Sequence, residues 1–101
     1  MSDLLTKKKF SSPLDQAFVA ANWQRRGYSC NQFVDPPGQE WLNFTHETDE
    51  LAAVVEGQLE LTIGSEKIEM NPGDEVFIPA KALHSVVNTH DGVTCWLFGY
   101  N

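Results

Sequence analysis

Two histidines and one glutamate are the residues of this chain whose types and spacing could support chemistry. His46 and Glu50 are separated by three residues in a polar segment, and His84 opens an apolar stretch much later in the chain. Two imidazoles and one carboxylate can bind Fe, Zn, Mn or Ni and leave coordination positions open for water or a substrate. Spacing alone does not separate a metal site from an acidic surface loop, because the His-x3-Glu pattern recurs by chance.

His46 and Glu50 can share a metal only if the chain bends between them. An extended segment would hold their Cα atoms roughly 13 Å apart, whereas each ligand of a metal lies about 2.0 to 2.2 Å from it. The polar residues 47–49 permit a bend, with His46 ending one strand and Glu50 opening the next. In a strand, every second side chain points to the same face. Residues two or four positions from His46, Glu50 and His84 are therefore predicted to line a pocket with them: Phe44, Ala52, Val54, Val86 and Asn88.

The elements that must position these residues are short strands. After Gly27 the apolar residues follow a period of two, in about eight segments separated by turn-forming residues. Gly64-Ser65 predicts a two-residue hairpin turn of type II′, and residues 71–74, in which Pro precedes Gly, predict a type II turn. This pattern is typical of an all-β protein, either a small antiparallel sandwich or a barrel.

The residues before the strands predict a tail and a helix. Residues 1–12 are expected to be loosely held. One short helix is predicted within residues 14–27, with a glycine just beyond its end. The residues near its apolar face are Leu14, Phe18 and Ala21, with Trp23 or Arg25 as a further member. Residues 13–101 are expected to form one domain, since a chain of 101 residues supports a single hydrophobic core. Three aromatic side chains are interpreted as core or subunit-interface residues rather than substrate platforms: Trp41, Trp96 and Phe98.

Charge and hydropathy argue against two classes of partner. The formal net charge is −7 and the isoelectric point is near 4.7, so the surface repels phosphate backbones and a nucleic-acid partner is not expected. No apolar run approaches the roughly 20 residues that cross a bilayer. The first residues lack the long apolar core of a signal peptide. A cytoplasmic protein is therefore expected.

Two spaced motifs of the chain resemble the two motifs of the cupin superfamily. They are His46-x3-Glu50-x6-Gly57 and Gly73-x5-Pro79-x4-His84-x3-Asn88. The fifteen residues between Gly57 and Gly73 are similar to the short spacing between the motifs of small cupins. The resemblance implies a double-stranded β-helix, a jelly-roll barrel of two facing sheets with an open end. It also implies that three residues occupy three of the family's four usual metal-ligand positions: His46, Glu50 and His84.

The chain departs from the family pattern at two positions. The first motif usually begins with a histidine where this chain has Phe44, so any metal would be held by two histidines and one glutamate. The second motif usually has glycine where this chain has Lys81. Small cupins pair through sheet edges and N-terminal segments, so the resemblance also implies a homodimer, for which the helix face over residues 14–23 is available.

These residues support three hypotheses for function. In the first, the protein is a small cupin that binds a divalent metal and, if it is an enzyme, acts on a small organic acid or carbonyl compound. In the second, it is a non-catalytic module that binds or senses a small ligand in the barrel. In the third, which Phe44 favours, the barrel holds no metal, and the two histidines and Glu50 form a hydrogen-bonded cluster. The sequence leaves open whether the protein is an enzyme.

Overall fold

Two antiparallel sheets that face each other make up most of the protein. The computed structural model describes residues 3–101, and within them the chain forms nine strands and one helix. In chain order these are β1 (Leu5–Thr6), α1 (Gln16–Arg25), β2 (Asn31–Asp35), β3 (Glu40–Phe44), β4 (Glu50–Glu56), β5 (Leu59–Ile63), β6 (Glu66–Met70), β7 (Glu75–Ile78), β8 (His84–Val87) and β9 (Thr94–Tyr100). The sheets have the orders β1-β7-β4-β9-β2 and β3-β8-β5-β6. The predicted all-β jelly-roll fold with one short N-terminal helix is confirmed.

The main core lies between the two sheets, and a second one lies outside them. Alternate residues of the strands, among them Ala52 and Val54 of β4, point inward and pack into the main core. The residues between them, Leu51 and Ala53, point outward and pack beneath α1. Because β4 is covered on both faces, it reads as a continuous apolar run instead of an alternating one.

Helix α1 forms where it was predicted, but it buries a different face. It begins at the N-cap Asp15, whose side chain accepts hydrogen bonds from the backbone N–H groups of residues 17 and 18. Its buried residues are Val19 and Trp23, which stand one turn apart, whereas Phe18 is 59% exposed. Phe18, which was predicted near the apolar face of the helix, therefore lies mostly outside the face that is buried within the chain. The face is set by Trp23, whose indole N–H donates to a carboxylate of the sheet, Glu75, over 2.7 Å.

The segment predicted to be a loose tail is held on the sheet over its described residues. β1 pairs with β7, and the Lys8 N–H donates to the side chain of Asp74 over 2.9 Å. Phe10 is buried under the helix, and its N–H donates to the Gly73 carbonyl over 3.1 Å. The prediction of a loose tail is therefore wrong for these residues. Their pairing covers the outer edge of β7, which would otherwise have unpaired backbone groups. Residues 1 and 2 of the predicted tail lie outside the described residues.

The two predicted turns are found, and each contains a glycine with a positive φ. At residues 71–74 the Asp74 N–H donates to the Asn71 carbonyl over 3.0 Å, and Gly73 has φ 93°, as a type II turn requires. Gly64 has φ 61° between the paired strands β5 and β6. Within residues 3–101, no helix has both the length and the apolar character of a membrane span.

Candidate metal centre

The three candidate ligands meet at one end of the barrel. β3 belongs to the four-stranded sheet and β4 to the five-stranded sheet, so residues 45–49 cross from one sheet to the other. This crossing is the bend between His46, which follows β3, and Glu50, which opens β4. His84 opens β8 and is paired with Phe44 across the four-stranded sheet. Residues far apart in the sequence are thus brought to a common point.

The distances between the ligand atoms suit a single metal ion. The Nε2 atom of His46 lies 3.5 Å from Glu50 Oε1, and that of His84 lies 3.6 Å from the same oxygen. The three ligand atoms all lie within 4.8 Å of one another. Two atoms that are each about 2.1 Å from a tetrahedral metal are roughly 3.4 Å apart. Glu50 therefore already stands at ligand spacing from each imidazole, and the two imidazole nitrogens must come within about 4.2 Å of each other to share one ion.

Glu50 carries the clearest sign of an incomplete site. Its side chain is buried, with the residue only 3% exposed, and Oε1 has no hydrogen-bond partner among the described residues. The imidazole contacts of 3.5 and 3.6 Å are longer than an N–H···O hydrogen bond. Burial raises the pKa of Glu50 from 4.5 to about 7. A buried carboxylate without a partner is costly, and a bound cation would remove that cost.

Both histidines are held in forms that can bind a metal. The Nδ1 atom of His84 lies 3.0 Å from the carbonyl oxygen of Ala82, which places the proton on Nδ1 and leaves the lone pair of Nε2 facing Glu50. For His46, burial and then the neighbouring His84 lower the pKa, which favours the neutral ring that ligates.

The backbone of His46 is held by Lys81, the residue that stands where the second family motif usually has glycine. The Lys81 N–H donates to the carbonyl oxygen of His46 over 2.7 Å. Lys81 has φ 66°, a left-handed conformation that favours glycine. The family's usual glycine is therefore suited to this backbone, and Lys81 adopts the same conformation at some cost.

A cavity of about 190 Å³ opens above the three candidate ligands. Its wall consists mostly of aromatic side chains. The lining residues are Phe33, Trp41, Phe44, His46, Glu50, His84, Val86, Trp96, Phe98 and Tyr100.

The predicted pocket residues divide into two groups. Phe44 and Val86 line the cavity. Ala52 and Val54 are fully buried in the main core and do not. Asn88 also lies away from the cavity, and its Nδ2 atom is 2.9 to 3.1 Å from three backbone carbonyls. The period of two identifies the face of a strand but not the depth along it, and the four steps along the chain from His84 to Asn88 span roughly 13 Å.

Sequence reasoning missed part of the aromatic wall. Trp41, Trp96 and Phe98 were expected to be core or interface side chains. All three belong to or pack against the main core, as expected, and they also line the cavity. Tyr100 was not singled out, yet its hydroxyl lies 3.5 Å from His46 Nε2, and burial followed by the charge of Glu50 raises its pKa. The alternation of aromatic residues at 96, 98 and 100 in β9 was the available signal.

A buried aspartate orients the two tryptophans of the wall. The Asp35 Oδ2 atom accepts hydrogen bonds from the indole N–H of Trp41 over 3.1 Å and of Trp96 over 3.0 Å. Trp41 belongs to one sheet and Trp96 to the other, so Asp35 joins the two sheets. Because both indole donors are satisfied by Asp35, the tryptophans contribute apolar surface to the cavity.

Comparison with solved structures finds the same fold. The protein TT1209 from Thermus thermophilus matches with a TM-score of 0.66 and 25% sequence identity, over 72% of this chain and 71% of that chain. A cupin 2 domain-containing protein from Halorhodospira halophila matches with a TM-score of 0.69 and 23% identity, over 73% of this chain and 52% of that chain. At such identities the likeness is evidence for the fold.

Comparison at the level of sequence identifies the family. An uncharacterized protein from Methanocaldococcus jannaschii is 33% identical over 61 residues, which are 59% of this chain and 49% of the relative. The chain thus spans about half the length of the curated relative that it matches. The family model of the cupin domain, Cupin_2, matches residues 31–100, a range that contains both motifs and strands β2 to β9. With well over half of its length matched, this chain belongs to the cupin family.

Proposed function

We propose that this protein binds a divalent metal ion, Fe, Zn, Mn or Ni, through His46, Glu50 and His84, and holds a small organic acid or carbonyl compound in the same cavity. The observation that carries the proposal is the buried Oε1 atom of Glu50, which lacks a hydrogen-bond partner among the described residues and faces two imidazole nitrogens at 3.5 and 3.6 Å. A fully buried carboxylate oxygen is retained at such a position when a cation or donor completes it. When bound, the metal would act as a Lewis acid or as an oxygen-binding centre.

The roles of the protein's own groups follow from their environments. The Ala82 carbonyl holds the ring of His84 in one tautomer, with Nε2 toward the site. The Lys81 N–H fixes the backbone that carries His46. Glu50 supplies the negative charge that attracts a cation, and the aromatic wall surrounds the candidate ligands with apolar surface. With Phe44 in place of a fourth ligand, more than one coordination position remains available to a small molecule.

Elemental analysis and thermal unfolding test the metal. Tag-free wild-type protein is compared with a His46→Ala, His84→Ala double variant after incubation with Fe(II), Zn, Mn or Ni. We expect the wild type alone to hold metal and to gain about 2.7 kcal/mol in free energy of unfolding at a metal concentration 100 times Kd. His90→Ala is the matched control, because this partly exposed histidine lies beside Asp91, away from the cavity.

One result would overturn the metal proposal. If wild type and double variant hold the same negligible amount of metal, the third hypothesis stands, in which protonated Glu50 donates to an imidazole in a metal-free barrel. Phe44 favours that alternative, since its ring stacks on His46 with centroids 6.4 Å apart and offers no ligand atom.

A non-catalytic binding protein is the second candidate function. Apart from the three candidate ligands and Tyr100, the described side chains that line the cavity offer no acid or base, because they are phenylalanines, tryptophans and one valine. Oxygen consumption and product formation with a panel of small acids and diketones separate the two functions. Turnover supports an enzyme, and binding without turnover supports the non-catalytic alternative.

We also propose that the protein forms a homodimer. The predicted surface, the apolar helix face over residues 14–23, is largely used within the chain, because Val19 and Trp23 pack on the sheet. The edge strands β2 and β3 instead carry exposed apolar side chains, including Val34 and Leu42. Light scattering tests the proposal: we expect a dimer that Val34→Lys with Leu42→Lys dissociates, and a wild-type monomer at micromolar concentrations would contradict it. The cytoplasmic location and the absence of a nucleic-acid partner remain predictions.

A further inference from the structure

Six aromatic rings in the cavity wall form a closed chain of contacts. Each ring centroid lies 4.6 to 6.4 Å from the next, and the last ring returns to the first. In order of contact, this aromatic circle consists of Trp41, Phe33, Phe98, Tyr100, His46 and Phe44. The rings come from β2, β3, β9 and the segment that connects β3 to β4. The cavity is therefore built to contact a flat apolar surface.

Beyond the candidate metal ligands, only one polar group of the described cavity wall is free to hydrogen-bond a ligand. The indole N–H groups of Trp41 and Trp96 are both held by Asp35. Among the described residues that line the cavity, the remaining polar group, apart from the three candidate metal ligands, is the hydroxyl of Tyr100. It lies 3.5 Å from His46 Nε2, which places it beside the candidate metal centre and within reach of a ligand oxygen there.

The volume of the cavity, which is open to solvent on one side, matches about one ring. An apolar protein cavity of roughly 150 Å³ holds one benzene molecule, and this cavity measures about 190 Å³. The additional space corresponds to one or two small oxygen-bearing substituents. Each well-oriented contact between aromatic rings contributes beyond its buried area, by roughly two- to tenfold in affinity.

We propose that the ligand of this cavity is a single-ring aromatic carboxylate, whose ring lies within the aromatic circle and whose carboxylate is directed toward Glu50 and accepts a hydrogen bond from the Tyr100 hydroxyl. This inference rests on the proposed function in one respect. Without a cation, the negative charge of Glu50 would repel a carboxylate, so tight binding of the acid requires the metal. The preference for an aromatic ring over a saturated one comes from the aromatic circle and does not require the metal.

Calorimetric titration with matched acids tests the proposal on metal-loaded protein. Benzoate and cyclohexanecarboxylate carry the same charge but differ in the flatness and π-system of the ring. We expect benzoate to bind at least tenfold more tightly than cyclohexanecarboxylate. Equal affinities, or no binding of benzoate to protein that contains metal, would overturn the proposal.

Two variants assign the contacts. Tyr100→Phe keeps the ring and removes the hydroxyl, and we expect about tenfold weaker binding of benzoate with unchanged metal content, since hydrogen bonds to charged groups are the stronger class. Phe44→Leu opens the circle at a half-exposed position, and we expect the preference for benzoate over cyclohexanecarboxylate to fall several-fold. An unchanged benzoate affinity in Tyr100→Phe would contradict the assigned hydrogen bond.

Failure of this inference and failure of the metal site give different results. Metal content is measured in every sample, so metal without ring preference overturns the ligand class and leaves the proposed function standing. If the wild type takes up no metal, the neutral pair benzyl alcohol and cyclohexylmethanol is used instead. Tighter binding of benzyl alcohol then supports the aromatic circle as a ring site, and equal binding overturns it.

Discussion

Two buried glutamates on the same pair of strands have opposite surroundings. Glu50 opens β4 and Glu75 opens β7, and these strands are neighbours in one sheet. The residues are 3% and 5% exposed. Glu75 accepts hydrogen bonds from the indole of Trp23 over 2.7 Å and from both terminal nitrogens of Arg26 over 2.9 and 3.0 Å. Glu50 Oε1 has no such partner among the described residues.

The two faces of the sheet explain the difference. Glu75 is paired with Ala53 and lies on the outer face, where α1 brings a cation and an indole donor. Glu50 shares the inner face with Ala52, where the surroundings are apolar apart from two imidazoles. Burial is therefore not the feature that marks a site. A buried charge with a complete set of partners can be held within the fold and is costly to break, whereas one without partners marks a place for a ligand.

The largest effect is expected from removing the satisfied carboxylate. Glu75→Ala leaves Arg26 without its ion-pair partner and the Trp23 indole without its acceptor, and we expect a loss of about 3 kcal/mol in free energy of unfolding. Urea unfolding measures it. The control is Glu60→Ala, which removes a more exposed ion pair with Lys67 at 3.9 Å and should cost under about 0.5 kcal/mol. Equal costs for the two variants would contradict the structural role of Glu75.

The unsatisfied carboxylate is expected to make metal-free protein less stable as the pH rises. The pKa of Glu50 is 4.5 in its ordinary state and about 7 when folded. Between these values the folded state keeps a proton that the unfolded state has released, so the free energy of unfolding falls with rising pH, by about 2 to 3 kcal/mol in total. Unfolding after chelation, at pH 4.5 and pH 8, measures the loss.

The control for the pH effect is Glu50→Gln, which should remove this pH-dependent loss. The groups that face Glu50 are His46, His84 and Tyr100. The lowered pKa of His46 acts in the opposite direction, and the variant retains this histidine, so the difference between wild type and variant reports Glu50. The same pH dependence in both proteins would contradict the burial of an unpartnered carboxylate.

A smaller effect is expected from removing one donor to Glu75. Trp23→Phe keeps most of the buried ring surface and deletes the hydrogen bond of 2.7 Å, and we expect a loss of about 1 to 2 kcal/mol. A double-mutant cycle with Glu75→Ala isolates the pair, and a coupling of about 1 kcal/mol is expected. Additive effects would show that Trp23 acts through packing alone.

The smallest effect concerns the loop that anchors His46. Lys81 has φ 66°, which costs a non-glycine residue about 1 to 2 kcal/mol. The greater freedom of glycine in the unfolded chain offsets about 0.4 to 1 kcal/mol. Lys81→Gly should therefore raise the free energy of unfolding by about 0.5 kcal/mol. Lys67→Gly, in strand β6, is the control and should lower it. A loss of stability in Lys81→Gly would indicate that its side chain makes stabilising contacts.

The strands were predictable because their information is local. Turn residues such as Gly73 and the alternation of apolar residues specify where strands start, end and face. The pairing of β1 with β7 was not predictable, because a two-residue strand has too few residues to show a period. The buried face of α1 was only partly predictable, since Phe18 and Trp23 are both apolar in sequence and the contact of Trp23 with Glu75 joins residues distant in the chain.

By itself, the sequence determined the fold class and the family motifs, because turn residues, apolar alternation and motif spacing are local. The resemblance of those motifs to the cupin pattern then named the three candidate ligands. Only the tertiary structure decided which buried polar groups have hydrogen-bond partners. It brought Trp23 and Arg26 to Glu75, and it gave Glu50 two imidazoles at distances too long for hydrogen bonds. Hydrogen bonds and burial depend on groups that are distant in the chain. For the same reason, only the folded chain reveals the aromatic circle above Glu50.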